Sequence, residues 1–249
     1  AEPSRYGYYV HDGRTTNREG GFDNERKRQW LGYAETDPKR IYSITDRAIA
    51  FIRNTIDQER PFFLQLSHYA VHSNIVYSEA AYDETSQRKK GQLHNDQGYA
   101  AMLGDLDQSI ASLLQAYKAL GLEKNTYLIF TSDNGGMPVL PMQVNKGKPY
   151  PVSLNAPLLR GKWDLTEGGI RVPFAMMGPE IEPNSQSDVP VVSFDILPTL
   201  ADLAGGNRLP DHLDGVSFKP LLSTPDAEIQ RSPAALVFHF PHYNRVGMN

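Results

Sequence analysis

Apolar residues fall at every third or fourth position between Tyr99 and Leu120: Tyr99, Met102, Leu103, Leu106, Ile110, Leu113, Leu114, Tyr117 and Leu120. Such spacing places them on one helical face, so it predicts a helix over about 96–120, stopped by Gly121. Ile44, Ala48, Phe51, Ile52 and Ile56 repeat the spacing and predict a second helix over about 44–57. At its start, Ser43-Ile44-Thr45-Asp46 reads as a capping box, whose hydroxyl and carboxylate take free N–H groups of the first turn. Shorter apolar runs lack the helical period. Pro61-Phe62-Phe63-Leu64-Gln65-Leu66, Tyr127-Leu128-Ile129-Phe130 and Val172-Pro173-Phe174-Ala175-Met176-Met177 read as buried strands, the last with its proline near the start. Ser193 is placed to cap a helix over about 194–204, whose early part Pro198 should kink. Ala235–Phe240 reads as a final strand.

The remainder is punctuation. Residues 1–40 and 73–95 are polar and read as loop, and 135–170 is rich in Gly and Pro. A loop of that length is usually functional or disordered. Strands alternating with helices argue for an α/β fold with a largely parallel sheet flanked by helices. The chain stops soon after its last apolar run, so that sheet is expected to be incomplete. The expected organisation is a loop-rich entry segment over 1–40, a body over 41–222, and a final strand with the start of a further region over 223–249. Sites in such sheets gather at the carboxyl ends of strands. His68 and His72 follow the first strand, and Asp133 and Asn134 follow the second.

Composition narrows the field further. The 249 residues are 40% hydrophobic, enough for a sizeable core. The net charge is −4 and no long basic run occurs, which argues against a nucleic-acid partner. No stretch of about 18 apolar residues predicts a membrane span. There is no Cys, so thiolate metal sites, disulfides and a cysteine nucleophile are excluded from this chain.

Three clusters carry candidate chemistry. Thr131-Ser132-Asp133-Asn134-Gly135-Gly136 sets a carboxylate beside an amide oxygen, half of a hard-cation site; the same residues are also ordinary turn formers. Leu159-Arg160-Gly161-Lys162 frames a lysine with glycine, suited to an oxyanion, although a surface lysine reads the same way. His68 and His72 could bond an oxyanion or protonate a leaving oxygen, or be satisfied structurally. His239 and His242, in Val237-Phe238-His239-Phe240-Pro241-His242-Tyr243, are either packing residues or a substrate rim. His11, His94 and His212 receive no functional reading.

In order, these pieces resemble the type I sulfatases. The run from Tyr99-Ala100-Ala101-Met102 through Asp105-Leu106-Asp107, Leu120-Gly121-Leu122 and Thr131–Gly136 looks like that family's central stretch. So do Pro61–Leu64 with Ala70-Val71-His72, and Arg160-Gly161-Lys162 with Glu167-Gly168-Gly169-Ile170-Arg171-Val172-Pro173. Asp195-Ile196-Leu197-Pro198-Thr199-Leu200 and Leu213-Asp214-Gly215-Val216-Ser217 also match, so the similarity spans roughly 42–222. It implies an alkaline-phosphatase-like fold, with 41–222 as the carboxyl-terminal part of the catalytic domain. It also implies hydrolysis of a sulfated small molecule or glycan with one calcium ion, and export to the periplasm or outside. By the same resemblance, Asp133 and Asn134 would bind calcium. Lys162 would hold the sulfate and its bridging oxygen, and His72 would contact the sulfate and the leaving alcohol. His68 has a weaker claim. Phosphoryl-transferring relatives with two metals commonly carry His after this Asp; an amide oxygen at Asn134 suits a single hard ion instead.

The resemblance also exposes a gap. The family requires an acidic pair and a C/S-x-P-S-R motif whose first residue becomes formylglycine. Ala1-Glu2-Pro3-Ser4-Arg5 has Ala at that place, and Tyr6-Gly7-Tyr8-Tyr9-Val10 follows it where an apolar helix is expected. Either this is a nucleophile knockout or degenerate site, or the match is coincidence; Pro3 with Gly7-Tyr8 fits a later segment of the family, which favours coincidence. The chain is therefore expected to need the remaining part of a sulfatase domain for a complete site, and to be inactive alone. A phosphodiesterase or phosphonate hydrolase of the same superfamily, and a non-catalytic sulfoglycan-binding relative, stay open as alternatives.

Overall fold

The computed structural model describes residues 10–11, 14–15, 36–72, 75–94, 96–137, 155–206, 209–210 and 212–240. These fall into two compact units. The first takes residues 1–121 and 136–161, and the second takes 122–135 and 162–249.

A minimal antiparallel hairpin, β1 (Val10–His11) with β2 (Arg14–Thr15), lies within the segment expected to be loop. The body of the first unit is three helices: α1 (Ile41–Asp57), α2 (Glu79–Ser86) and α3 (Gln97–Ala119). Helix α3 packs against both others. Its buried face includes Ala101, Met102, Asp105, Ser109, Ala116 and Tyr117, and α1 buries Ile41, Thr45, Ala48, Ile52 and Thr55. Ile41 and Met102 lose all exposure; burial of such a side chain contributes about 2 kcal/mol.

The polar residues on the buried faces of α1 and α3 are hydrogen-bonded. The Thr45 hydroxyl lies 2.6 Å from that of Ser109, which donates to the Ile41 carbonyl at 3.1 Å. Asp105 is fully buried on α3. It accepts from the Tyr42 hydroxyl (2.6 Å), the Ser78 hydroxyl (2.6 Å) and the Ser78 N–H (2.8 Å). One carboxylate thus joins α1, the start of α2 and α3. Burial, and then the bond to Asp105, push the Tyr42 phenol well above its usual range.

Two details of this unit differ from the sequence reading. Helix α1 begins at Ile41, so the capping box read at Ser43 lies inside it. The orphan donors of its first turn go instead to Asp37, whose carboxylate accepts from the N–H groups of Tyr42 (2.8 Å) and Ser43 (3.3 Å). Helix α2 occupies part of the segment expected to be loop. Its buried contribution is Ala81, too little to leave an apolar period, but Ser78 caps it through the Ala81 N–H.

The second unit is built on a two-stranded ladder, β3 (Leu128–Thr131) with β4 (Phe174–Met177). The pairing is antiparallel, with Leu128 opposite Met177 and Thr131 opposite Phe174. Among the described residues the ladders are thus antiparallel, whereas alternation of strands and helices suggested parallel neighbours. The Pro61–Leu66 run has no ladder among the described residues, and the same holds for Ala235–Phe240. A short helix α4 (Glu167–Ile170) precedes β4, and α5 (Ile196–Leu203) and α6 (Pro220–Ser223) follow. Pro198 sits in the first turn of α5, where a missing N–H costs nothing. Residues Ser193–Asp195 enter that helix as a tighter 3₁₀ turn.

Asp195 is the hub of this unit. It has no exposure, and it binds Arg231 through both carboxylate oxygens at 2.8 and 2.7 Å. The same oxygens accept from the N–H groups of Val192 (2.9 Å) and Val216 (3.0 Å). Burial alone would raise this carboxyl; the Arg231 fork and the two N–H donors outweigh it and hold the group below its ordinary value. A second constraint lies at Gly135, whose N–H donates to the Gly169 carbonyl at 2.9 Å. A Cβ on Gly135 would stand 1.8 Å from the Gly168 oxygen, so only glycine fits there.

Two outcomes follow from these contacts. Gly135→Ala should cost about 2–3 kcal/mol or more in urea unfolding, since the clash is with main chain that cannot swing aside. Arg231→Met leaves a buried carboxylate unpaired and should cost about 3–5 kcal/mol at neutral pH. The wild-type Asp195 carboxyl is depressed, so its contribution is complete above the ordinary carboxylate value of 3.8 and is lost as pH falls through its folded value. The deficit of Arg231→Met should therefore shrink on acidification, read from paired urea midpoints across pH.

Candidate functional site

Strand β3 ends at Thr131 and delivers Asp133 and Asn134 into a turn. The Asp133 side chain is exposed and Asn134 is half-buried. The Ser132 hydroxyl donates to the Asn134 carbonyl at 2.9 Å, and the Asn134 amide donates to the Asp133 carboxylate. Gly135 then locks the turn against Gly168 and Gly169. Those glycines belong to α4, so the turn and the Glu167–Ile170 motif are joined main chain to main chain within the second unit.

Lys162 lies in the same unit, half-buried, a few residues before α4. Arg160 and Trp163 on either side of it adopt left-handed backbone, with φ of 56° and 76°. Neither is glycine, so each position costs about 1 kcal/mol and persists only because its surroundings hold it. The Asp164 carboxylate accepts from the Thr166 N–H at 2.8 Å, turning the chain into α4. An exposed Arg171–Glu167 pair at 3.3 Å lies on the outside of that helix and contributes little.

His72 and His68 belong to the first unit. His72 is exposed at the end of a turn, its N–H donating to the Tyr69 carbonyl at 2.9 Å. Its ring lies 5.0 Å from that of Tyr69 at 42°. His68 points the other way in chemical terms. Its Nε2 is 3.3 Å from the Thr45 hydroxyl, and its Nδ1 is buried with no hydrogen-bond partner among the described residues. Burial lowers its pKa, so the neutral ring is favoured. In the same unit, Asn155 accepts from the Gly136 N–H and donates to the Gly136 carbonyl, both at 2.9 Å, which closes the long Gly/Pro-rich loop at its base. His94, given no role from the sequence, lies with Nε2 at 2.8 Å from the Ala156 carbonyl.

His239 is exposed in the second unit, downstream of the Arg231 anchor. His242 lies outside the described residues. Lys39 and Tyr69 escaped the sequence reading. Lys39 is only 7% exposed, its ammonium 4.7 Å from the centre of the Tyr69 ring. Burial pushes its pKa down to about 7. A lysine just before a helix ordinarily reads as solvated, so the sequence held no signal for it.

Asp133 and Asn134 offer two hard oxygen donors, against the six to eight that calcium takes. Among the described residues no group of three or more His, Cys, Asp or Glu is placed to hold a metal ion. The donor chemistry fits calcium but amounts to part of a shell. No helix among the described residues is long and apolar enough to cross a membrane.

The family described as Sulfatase matches residues 7–206. A sulfatase of Formosa agariphila is 31% identical over 232 residues, covering 86% of this chain and 39% of that protein. Human arylsulfatase A is 31% identical over 216 residues, covering 84% and 38%. Among solved structures, Ps i-CgsB in complex with k-i-k-neocarrahexaose superposes with a TM-score of 0.63 at 28% identity, covering 75% of this chain and 39% of that one. The chain thus spans about two-fifths of the length of these relatives. Since the match takes in the Asp133 turn, the Lys162 segment and the His72 turn together, the chain belongs to the sulfatase family and carries part of its alkaline-phosphatase-like α/β fold.

Proposed function

We propose that this chain supplies the sulfate-holding and calcium-binding part of an exported sulfatase that hydrolyses a sulfate ester on a glycan. The observation that carries the reading is the main-chain lock between Gly135 and Gly168–Gly169, which holds the two oxygen donors against α4 in the compact unit that also contains Lys162. Asp133 and Asn134 would be ligands of the ion. Calcium, when bound, would supply positive charge to polarise the sulfate and its attacking oxygen. Lys162 would hold the sulfate and its bridging oxygen as a point charge with rotatable donors. His72, exposed and hydrogen-bonded through its main chain, would bond the sulfate and pass a proton to the leaving alcohol. His68 and His239 are assigned to substrate contact with less support, since His68 is tied to Thr45. The glycan assignment follows the oligosaccharide held by Ps i-CgsB.

The nucleophile would come from elsewhere in the domain. The chain has no Cys, and at Ala1-Glu2-Pro3-Ser4-Arg5 the position two before the proline is Ala rather than a convertible residue. Exposure along 61–67 alternates strictly, with Phe63 72% exposed, while no ladder forms there among the described residues. That is the pattern of a strand whose neighbours lie in another segment.

Purified alone with calcium, the chain should release no sulfate from 4-nitrophenyl sulfate or from a sulfated oligosaccharide; robust turnover would defeat the missing-nucleophile reading. Calorimetry should find calcium binding weak, near about 10⁻³ M, and lost in Asp133→Asn. In the domain completed by its nucleophile segment, Lys162→Ala should lower kcat by about 10²-fold or more. Inorganic sulfate should inhibit that domain and lose potency alike in Lys162→Ala and His72→Ala. Sulfate inhibition unchanged in either variant would remove that side chain from the sulfate-holding role.

A further inference from the structure

Lys39 is an expensive residue to place. It is 7% exposed, yet it carries a potential charge on a long side chain. Its own backbone is left-handed at φ 52°, and so is that of Arg40 at φ 57°. Two consecutive non-glycine residues in that region cost about 1 kcal/mol each and mark places where surroundings over-determine the chain. Helix α1 needs neither distortion for capping, because Asp37 already serves its first N–H groups. The arrangement does achieve one thing: it sets the Lys39 ammonium 4.7 Å from the centre of the Tyr69 ring. The same ring lies 5.0 Å from the His72 imidazole, and the His72 N–H is bonded to the Tyr69 carbonyl. Tyr69 therefore touches the lysine and the histidine at once.

We infer that Lys39 is a positioning residue for His72: its cation holds the Tyr69 ring, and that ring fixes the place of the imidazole. The inference rests on the proposed role of His72. Lys39 itself is too enclosed to reach substrate and acts through the aromatic face. Attraction between an ammonium and a tyrosine ring strengthens with desolvation, and burial is what Lys39 has. Burial also lowers its pKa to about 7, against which the ring face works by favouring the charged form. A histidine that must meet a sulfate ester gains from such support, because small misplacements of a reacting group cost large factors in rate.

The test uses the sulfatase domain completed by its nucleophile segment, with kcat and KM measured separately. Lys39→Met keeps the stem and removes the charge; it should lower kcat by about tenfold and leave KM within about twofold. Lys39→Arg, which retains a cation for the ring, should recover most of that loss. Should Lys39→Met fail to fold by circular dichroism, the tyrosine carries the test. Tyr69→Phe preserves the ring face and should keep kcat within about threefold, whereas Tyr69→Leu should match the loss in Lys39→Met. Adding Lys39→Met to Tyr69→Leu should cause no further drop, since both act on one contact. Folded Lys39→Met or Tyr69→Leu protein with wild-type kcat would overturn the inference. If His72→Ala leaves kcat unchanged, the underlying assignment of His72 fails instead, which separates the two.

Discussion

The close approach of Gly135 to Gly168 and Gly169 is the constraint on which the proposed chemistry depends. Oxygen donors on a turn are worth little to a cation unless the turn is held, and a turn of Asp, Asn and Gly has every freedom to move. Here the freedom is removed by main-chain contact too tight for any side chain. The glycines commonly explained as turn formers act differently at this position: Gly135 is not left-handed and is required for proximity. Left-handed backbone at Arg160 and Trp163 belongs to the same economy, with local strain held by the surrounding fold beside a residue proposed for anion binding.

Two buried carboxylates organise the two units by contrasting means. Asp105 is satisfied by hydroxyl and N–H donors alone, joining three helices of the first unit. Asp195 takes the charged fork of Arg231 as well as main-chain donors, and so ties α5 to a segment far along the chain. Neither is exposed, so neither is available to a ligand. The polar groups proposed for sulfate and metal are the ones left open: Asp133 and His72 are exposed, and Lys162 and Asn134 are half-buried. Burial thus separates carboxylates that build the fold from those that can meet a substrate.

How much of this the sequence disclosed follows from the length scale of each signal. Helices α1 and α3 were legible because many residues vote on one period, and their ends were placed within a few residues. Helix α2 was not, since it buries too little to show a stripe, and the cap of α1 was misplaced because Asp37 reaches it from before a 3₁₀ turn. Strands β3 and β4 were visible, whereas 61–66 and 235–240 form no ladder among the described residues, and the antiparallel pairing of β3 with β4 depends on partners distant in sequence. Of the site, Asp133, Asn134, Lys162 and His72 were named from local motifs and family resemblance. Lys39 and Tyr69 were invisible, because their meaning arises only when a turn before one helix meets a turn distant in sequence.

The reciprocal pair between Asn155 and the Gly136 main chain has an evolutionary consequence. It acts as a clasp: Gly136 and Asn155 are joined main chain to side chain by two bonds of their own. The entropy of closing a loop grows only with the logarithm of its length, so each doubling costs about 0.6 kcal/mol. Insertions and deletions between these two anchors can therefore accumulate cheaply while the flanking motifs keep their places. Length and sequence between Gly136 and Asn155 can thus drift under a looser selection than the two residues that make the clasp.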